Sequence, residues 1–172
     1  MNTPGIPALL VEIYDRIFRP LGFGLEYLES HTESLAYDAC SFSVQKVSVV
    51  FRKAKITPTK TGQFVTLWKR STAGPIAPYA ITDAAALFII ATKTEHRLGI
   101  FAFPKTVLAR EGVVTTATKE GKRALRVYPP WDRVTSKQAQ KTQQWQLDYF
   151  VEIPTDNTMD FKRMQQLFQD LM

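Results

Sequence analysis

The chain has 172 residues, 45% of them hydrophobic, and a net charge of +6 at pH 7, so it can bury a substantial core within one domain, residues 1–172. With neither an apolar run of about 18 residues nor a basic leader before a long apolar stretch, it is predicted to be cytoplasmic and to involve no membrane. Its single cysteine, Cys40, excludes an internal disulfide, and together with the lack of a histidine pair at ligand spacing it argues against a zinc site. We predict no metal and no cofactor.

The predicted elements begin with a helix and continue with strands. Leu9, Ile13 and Phe18 recur at helical spacing ahead of Pro20, which predicts an amphipathic helix over Ala8–Arg19. After the glycines at 22 and 24, short runs rich in β-branched and aromatic residues predict strands over Leu25–Leu28, Leu35–Val44, Val47–Arg52, Phe64–Lys69, Leu87–Thr92 and Leu98–Phe103.

Helices become more frequent in the second half. A proline at an early helical position predicts a short helix over Pro104–Arg110, and strands are predicted over Val113–Thr116 and Ala124–Tyr128. Good helix formers predict a helix over Ser136–Gln146, and spaced apolar residues predict a terminal amphipathic helix over Thr158–Leu171. This order predicts an α+β fold, with a strongly curved, largely antiparallel sheet or an open barrel and flanking helices.

Charge is distributed unevenly along the chain. Residues 39–82 contain seven basic residues and no acidic residue, and residues 97–141 contain ten basic residues against three acidic ones. The first 38 residues and the last 31 are acidic overall. Stretches of one sign attract polyanions, because their summed field raises the local concentration and association rate of such partners. The alternative is a solvated basic face without a partner.

The sharpest local feature is a basic loop in which cationic and hydroxyl side chains alternate. Lys and Arg neutralise phosphates, and Thr hydroxyls donate hydrogen bonds to phosphate oxygens. We therefore predict that an anion binds to Arg52, Lys53, Lys55, Thr57, Thr59, Lys60 and Gln63. The loop is not a Walker loop, because the glycine-rich lead and the Gly-Lys-Ser/Thr order are missing. The alternative is a basic hairpin loop whose turns are set by Pro58 and Gly62.

A second predicted surface combines aromatic side chains, on which bases stack, with basic side chains that pair with phosphates. Its members are Trp68, Lys69, Arg70, Lys105, Lys122, Arg123, Arg126, Tyr128, Trp131 and Arg133. A tryptophan in an alternating strand more often packs in the core, which is the alternative for Trp68. The glutamines of the helix over 136–146 either pair with adenine edges or face solvent.

No set of residues predicts catalysis. A restriction-type nuclease needs a carboxylate and a Glu-x-Lys on adjacent strands to hold a metal ion. No such tripeptide lies on a predicted central strand, and Asp160-Phe161-Lys162 matches by letters alone. A Gly-x-Ser-x-Gly elbow and a Cys/His pair are also missing. We therefore predict binding rather than catalysis, and we assign no catalytic residues.

Long runs rich in Trp, Pro and Lys resemble the MepB family. The first is Phe51–Arg70, and Gly99–Lys105, Gly121–Asp132 and Gln138–Gln146 follow, so the resemblance covers about residues 10–152. It implies a pseudobarrel fold like that of the DNA-binding domains that serve as effector-binding modules in type IIE restriction enzymes. No established activity comes with the resemblance.

Charge and resemblance together favour a nucleic-acid-binding protein, with double-stranded DNA as the expected partner. The loop Arg52–Lys60 and the region Lys122–Arg133 are expected to clamp phosphates. One alternative is a protein that takes a nucleotide or similar anion in a single pocket, with or without weak catalysis. Another is a protein-interaction module connected to drug efflux, which the family's gene neighbourhood alone implies.

Overall fold

The computed structural model describes residues 5–70, 74–156 and 158–171, and its largest element is a six-stranded sheet. The strands of the described residues are β1 (Glu26–Ser30), β2 (Cys40–Val44), β3 (Val47–Lys53), β4 (Lys55–Ile56), β5 (Gln63–Thr66), β6 (Trp68–Arg70), β7 (Ile76–Pro78), β8 (Leu87–Lys93), β9 (Leu98–Pro104), β10 (Ala124–Val127) and β11 (Phe150–Ile153). The helices are α1 (Ala8–Ile13), which continues as a π-helical turn (Tyr14–Phe18), α2 (Lys105–Arg110), α3 (Lys137–Leu147) and α4 (Phe161–Leu167), with 3₁₀ turns at Thr32–Tyr37 and Gln169–Leu171.

The large sheet has the strand order β1-β2-β3-β8-β9-β11, and its pairings are antiparallel apart from that of β3 with β8. The central strands β8 and β9 consist almost entirely of apolar residues, and all but their last residues are buried. Continuous apolar runs of this kind are expected where both faces of a sheet are covered. The sheet is therefore the middle layer of the fold.

Each face of the large sheet carries its own hydrophobic core. On the first face, α1, its π-helical turn and α4 pack against the sheet, and the rings of Phe18 and Phe168 lie 5.5 Å apart. On the second face, Phe88 and Phe103 of the sheet pack beneath Val65 and other residues of the covering strands and of α2 and α3. The basic residues Lys55 and Arg126 lie on β4 and β10, in a small sheet that covers this second face.

Two small sheets cover part of the second face. One has the order β10-β5-β4, and the other consists of β6 and β7. The buried Leu67 lies between β5 and β6 and donates its backbone N–H to the carbonyl of Arg123 at 2.8 Å. The predicted strand over 64–69 is therefore split into two strands that belong to different sheets.

The predicted α+β class with a largely antiparallel sheet is confirmed, and the strands between residues 5 and 171 that the structure describes do not close into a barrel. The helices predicted over 8–19, 104–110 and 136–146 are present to within about a residue at each end. Ser136 begins α3 as its N-cap, accepting a hydrogen bond from the backbone N–H of Ala139 at 3.1 Å. No helix in the described part of the chain is long and apolar enough to cross a bilayer.

Several predicted boundaries are wrong for identifiable reasons. The strand predicted over 35–44 begins only at Cys40, because Asp38 has a φ of +49° and turns the chain there after a 3₁₀ turn. Val113–Thr116 forms no strand, and Thr115 makes a single bridge to Ala80. The terminal helix begins after Asp160, which caps it by accepting from the backbone N–H of Arg163 at 2.9 Å. The short strands β4, β7 and β11 are not predicted at all.

Candidate nucleic-acid interface

Strand pairing in the small sheet brings the two basic stretches of the sequence together. β5 lies between β4 and β10, and its Phe64 is in register with Lys55 on one side and with Arg126 on the other. Residues in register on neighbouring strands point to the same face, with the strands about 4.8 Å apart. Lys55 and Arg126, which are distant in sequence, therefore flank one aromatic ring.

Aromatic rings lie beside both of these cations. The Nζ of Lys55 is 4.7 Å from the ring centroid of Tyr37, and the Cζ of Arg126 is 6.0 Å from that of Phe64. The two rings meet edge to face, with their centroids 6.3 Å apart. Cation–π attraction positions each charge without neutralising it, so both cations remain able to attract an anion.

Arg126 also fixes the predicted anion-binding loop. Its Nη1 donates to the Thr57 hydroxyl at 3.0 Å and to the carbonyls of Thr61 and Gly62 at 3.3 and 3.2 Å. The Thr57 hydroxyl donates in turn to the carbonyl of Lys60 at 3.4 Å. Because all of these acceptors are uncharged, the guanidinium keeps its net positive charge while it orders the loop.

The loop ends in a turn that suits glycine alone. Gly62 has a φ of +83°, and a Cβ at this position would lie 2.6 Å from two ring carbons of Tyr128 and 2.9 Å from the carbonyl oxygen of Val127. Burial raises the pKa of Asp132, and a hydrogen bond from the Gly62 backbone opposes that rise. The loop, β10 and the turn after β10 therefore pack as one unit.

A groove of about 650 Å³ runs between β10, the outer strand of the small sheet, and α3. Its lining includes the cations Lys60, Lys122 and Arg126 and the aromatic rings of Phe64, Tyr128 and Trp145. The rest of the lining comes from α3 and its cap and from the chain next to β10: Ser136, Gln138, Ala139, Thr142, Gln146, Glu111, Val113, Ala124 and Leu125. The groove thus combines positive charge, aromatic surface and hydrogen-bonding side chains.

The cations in and beside the groove are not neutralised by protein acids. Lys55, Lys60 and Lys122 are exposed, and neither they nor Arg126 form an ion pair with any described residue. Glu111, the one acidic residue in the lining, is paired with Arg110 at 3.2 Å. We call Lys55, Lys60, Lys122 and Arg126 the basic face.

Two glutamines of α3 hold the chain around β10 in place instead of facing a partner. Gln146 donates to the carbonyl of Arg126 at 3.0 Å and accepts from the backbone N–H of Tyr128 at 2.9 Å, as a neighbouring strand would. Gln143 donates to the carbonyls of Pro129 and Asp132 at 3.0 and 3.1 Å. The side-chain amides of Gln143 and Gln146 are therefore engaged within the protein.

Two predicted anion-binding residues lie away from the basic face. Arg52 is 0% exposed and Gln63 is 1% exposed. Arg52 donates to the carbonyl of Phe51 at 2.9 Å and to the hydroxyl of Tyr79 at 3.3 Å. Arg52 lies in the part of β3 where consecutive residues are buried because both faces of the large sheet are covered, and Gln63 lies on the buried side of the alternating strand β5. A polyanion at the surface does not reach either residue, which corrects the sequence prediction for both.

The residues of the predicted aromatic and basic surface do not lie together, and two of them, Lys69 and Lys105, contact Asp83. Lys69 Nζ lies 2.5 Å from a carboxylate oxygen of Asp83, and Lys105 donates to the Asp83 carbonyl at 2.8 Å. Trp68 is half-buried, with the guanidinium of Arg70 5.9 Å from its ring centroid. None of these residues lines the groove, and the charge of Lys69 is compensated.

Trp131 packs instead of presenting a free ring. The guanidinium of Arg97 covers it at 4.7 Å from the centroid, and Phe150 meets it edge to face at 5.7 Å. Arg123, although it lies next to Lys122 in sequence, is paired with Glu120 at 3.2 Å. The remaining predicted residues do not line the groove either: Lys53, Thr57, Thr59 and Arg133.

The groove includes residues that the sequence does not single out. Phe64 carries a usable signal, because it alternates with Gln63 and Val65, and one of the two faces of β5 has to point outward. Trp145 carries no such signal. In the structure it packs as a core residue would, because its ring is half-buried and lies 5.3 Å from that of Phe103. Ser136 and Thr142 join the groove only because α3 packs beside β10.

Comparison with known proteins identifies a family and a related structure. The model of the MepB-like family matches residues 31–152, which is more than half of the chain. The crystal structure of MepB aligns with this structure at a TM-score of 0.75 and 33% sequence identity, covering 91% of this chain and 100% of that chain. Comparison with curated proteins finds no significant match.

Proposed function

The chain belongs to the MepB-like family, and we propose that it binds nucleic acid through the basic face and the groove beside β10. The observation that carries this proposal is the gathering of four cations from two distant basic stretches, without a carboxylate partner among the described residues. Unpaired lysines and arginines release condensed counterions when they neutralise phosphates, and this release drives binding to nucleic acids.

In this proposal, different side chains of the site contact the phosphates and the bases of the nucleic acid. Lys60 and Lys122 act as point charges for phosphate oxygens, while the planar guanidinium of Arg126 offers directed donors. The rings of Phe64 and Tyr128 supply apolar surface for bases. DNA is the proposed partner, and the affinity is expected to fall steeply as salt is added, because each phosphate contact releases a counterion.

The groove itself favours a second candidate function, which is the binding of a free nucleotide. Its volume of about 650 Å³ falls in the range of roughly 300–1,000 Å³ typical of small-ligand sites. In that case one nucleotide binds per chain, saturably and with weak salt dependence. Polymer binding at the basic face predicts the opposite pattern, so the two functions are separable by titration.

The test compares two double variants that remove the same charge. Lys60→Gln with Lys122→Gln changes the site, whereas Lys93→Gln with Lys162→Gln removes two exposed lysines outside the groove. Fluorescence anisotropy with labelled single-stranded and duplex DNA is measured between 50 and 200 mM KCl. We expect the site variant to lose about tenfold or more in affinity and to flatten the slope of log K against log salt by about 1.4–1.8, since each phosphate contributes about 0.7–0.9.

The control variant should stay within about threefold of the wild type, since a distant charge acts only through the screened field. Equal losses in the two double variants would refute the assignment of the basic face. A wild-type protein that binds neither form of DNA would refute nucleic-acid binding altogether, and saturable binding of one AMP per chain would then favour the second candidate.

A further inference from the structure

We infer that Gln146 is a positioning residue, whose side-chain amide holds β10 and the basic face in the arrangement that binds, an inference that rests on the proposed function. Gln146 lies on α3 and borders the groove, yet it is only 1% exposed. It therefore offers a ligand almost no contact surface. An effect of this residue on binding has to pass through the groups that its amide holds.

The outer edge of β10 pairs with no other strand in the described part of the chain. Hydrogen bonds of an antiparallel ladder alternate between the two edges of a strand, and the carbonyl of Arg123 bonds towards β5, to the backbone N–H of Leu67. The backbone groups of Arg126 and Tyr128 therefore point away from β5, towards α3. Beside a packed helix, these groups need hydrogen-bond partners within the protein.

The amide of Gln146 supplies both partners. Its Nε2 donates to the carbonyl of Arg126 at 3.0 Å, and its Oε1 accepts from the backbone N–H of Tyr128 at 2.9 Å. One residue of a parallel strand would make the same two bonds, to the carbonyl of one residue and to the N–H two residues later. The orientation of the amide is fixed by its partners, because only the NH₂ group donates and only the oxygen accepts. One side chain thus replaces a neighbouring strand.

The two residues that Gln146 holds by their backbone also hold the anion-binding loop by their side chains. The guanidinium of Arg126 donates to the carbonyls of Thr61 and Gly62, and the ring of Tyr128 lies against Gly62. The pairing of β10 with β5 ends at Val127, so Tyr128 has no ladder bond of its own. A site that is held in place before binding loses less conformational freedom when a ligand arrives. Affinity should therefore depend on Gln146.

The first test removes both hydrogen bonds while keeping an unbranched side chain of similar length. Gln146→Met is compared with Gln144→Met, which changes an exposed residue of α3 outside the groove. Anisotropy measures the affinity of folded variants for a labelled 12-nucleotide single strand of DNA between 50 and 200 mM KCl. We expect Gln146→Met to weaken binding about tenfold without changing the salt slope, because no cation is removed. Gln144→Met should stay within about threefold of the wild type.

The second test restores the lost hydrogen bond by protonation. The carboxylate introduced by Gln146→Glu repels the carbonyl of Arg126, whereas the protonated carboxyl donates to it and reproduces the bonds of the amide. Burial favours the protonated form. We expect affinity about tenfold below that of the wild type at pH 8 and within about threefold of it at pH 5.5. Gln138→Glu introduces a carboxylate at an exposed position of the groove wall, which stays ionised at both pH values, so its relative affinity should not recover.

A merely structural role would lower the free energy of unfolding and leave the affinity of the folded variants unchanged. Wild-type affinity in Gln146→Met, shown by circular dichroism to be folded, would therefore overturn the inference. Parallel losses in Gln146→Glu and Gln138→Glu at both pH values would also overturn it, and either result leaves the proposed function in place. A wild-type protein that binds no DNA would instead overturn the proposed function, and the inference with it.

Discussion

Replacing Gly62 by alanine is expected to destabilise the folded protein through two separate terms. A side chain at positive φ costs about 1–2 kcal/mol, and Gly62 has a φ of +83°. The added Cβ also meets the Tyr128 ring at 2.6 Å and the Val127 carbonyl at 2.9 Å, so the ring has to move. Overpacking of this kind costs about 1–3 kcal/mol. We therefore expect Gly62→Ala to lower the free energy of unfolding by about 2–5 kcal/mol.

Two other glycines isolate the two terms. Gly22 also has a positive φ, +80°, but a Cβ there meets nothing within 4 Å, so Gly22→Ala should cost about 1–2 kcal/mol. Gly24 has neither constraint, and Gly24→Ala should stay within about 1 kcal/mol of the wild type. Urea denaturation followed by tryptophan fluorescence measures all three. If Gly62→Ala were no less stable than Gly22→Ala, the close packing of Gly62 against Tyr128 would be refuted.

Three further results are expected. Burial raises the pKa of Cys40 to about 12, so at pH 8 a thiol reagent should label this residue only at the rate of unfolding. The same pKa shift stabilises the folded protein below about pH 9. That stabilisation is lost between about pH 9 and 12, where the free energy of unfolding measured in urea should decline. Trp131→Ala should lower the free energy of unfolding by about 2–4 kcal/mol, because the ring packs on Phe150. The affinity of the folded variant for single-stranded DNA, measured by anisotropy, should stay within about threefold of the wild type. Asp83→Asn, which weakens the ion pair with Lys69, should lower the free energy of unfolding by about 1 kcal/mol in the same urea assay and leave the affinity for single-stranded DNA unchanged.

The sequence predicts elements better than it predicts the site, because the site depends on pairing between distant strands. The apolar runs of β8 and β9 identify these strands without any knowledge of their neighbours. The burial of Arg52 was not predictable, because it shares its strand face with Ser48 and the sequence does not show that other elements cover this face. The meeting of Lys55 with Arg126 was not readable, since it requires the register of β4, β5 and β10, and this register depends on contacts far apart in the chain.

Alternation and ion pairing also change how much charge a polyanion meets. The two basic stretches hold seventeen lysines and arginines, and neutralising one phosphate with each would give a salt slope of about −12 on single-stranded DNA, at roughly −0.7 per phosphate. Arg52 is buried, and Lys69, Arg97, Arg110 and Arg123 have carboxylate partners. The four cations of the basic face would give a slope of only about −3. A slope near −3 therefore indicates that single-stranded DNA contacts the basic face alone, and a slope near about −8 indicates contacts with all twelve remaining cations of the two basic stretches.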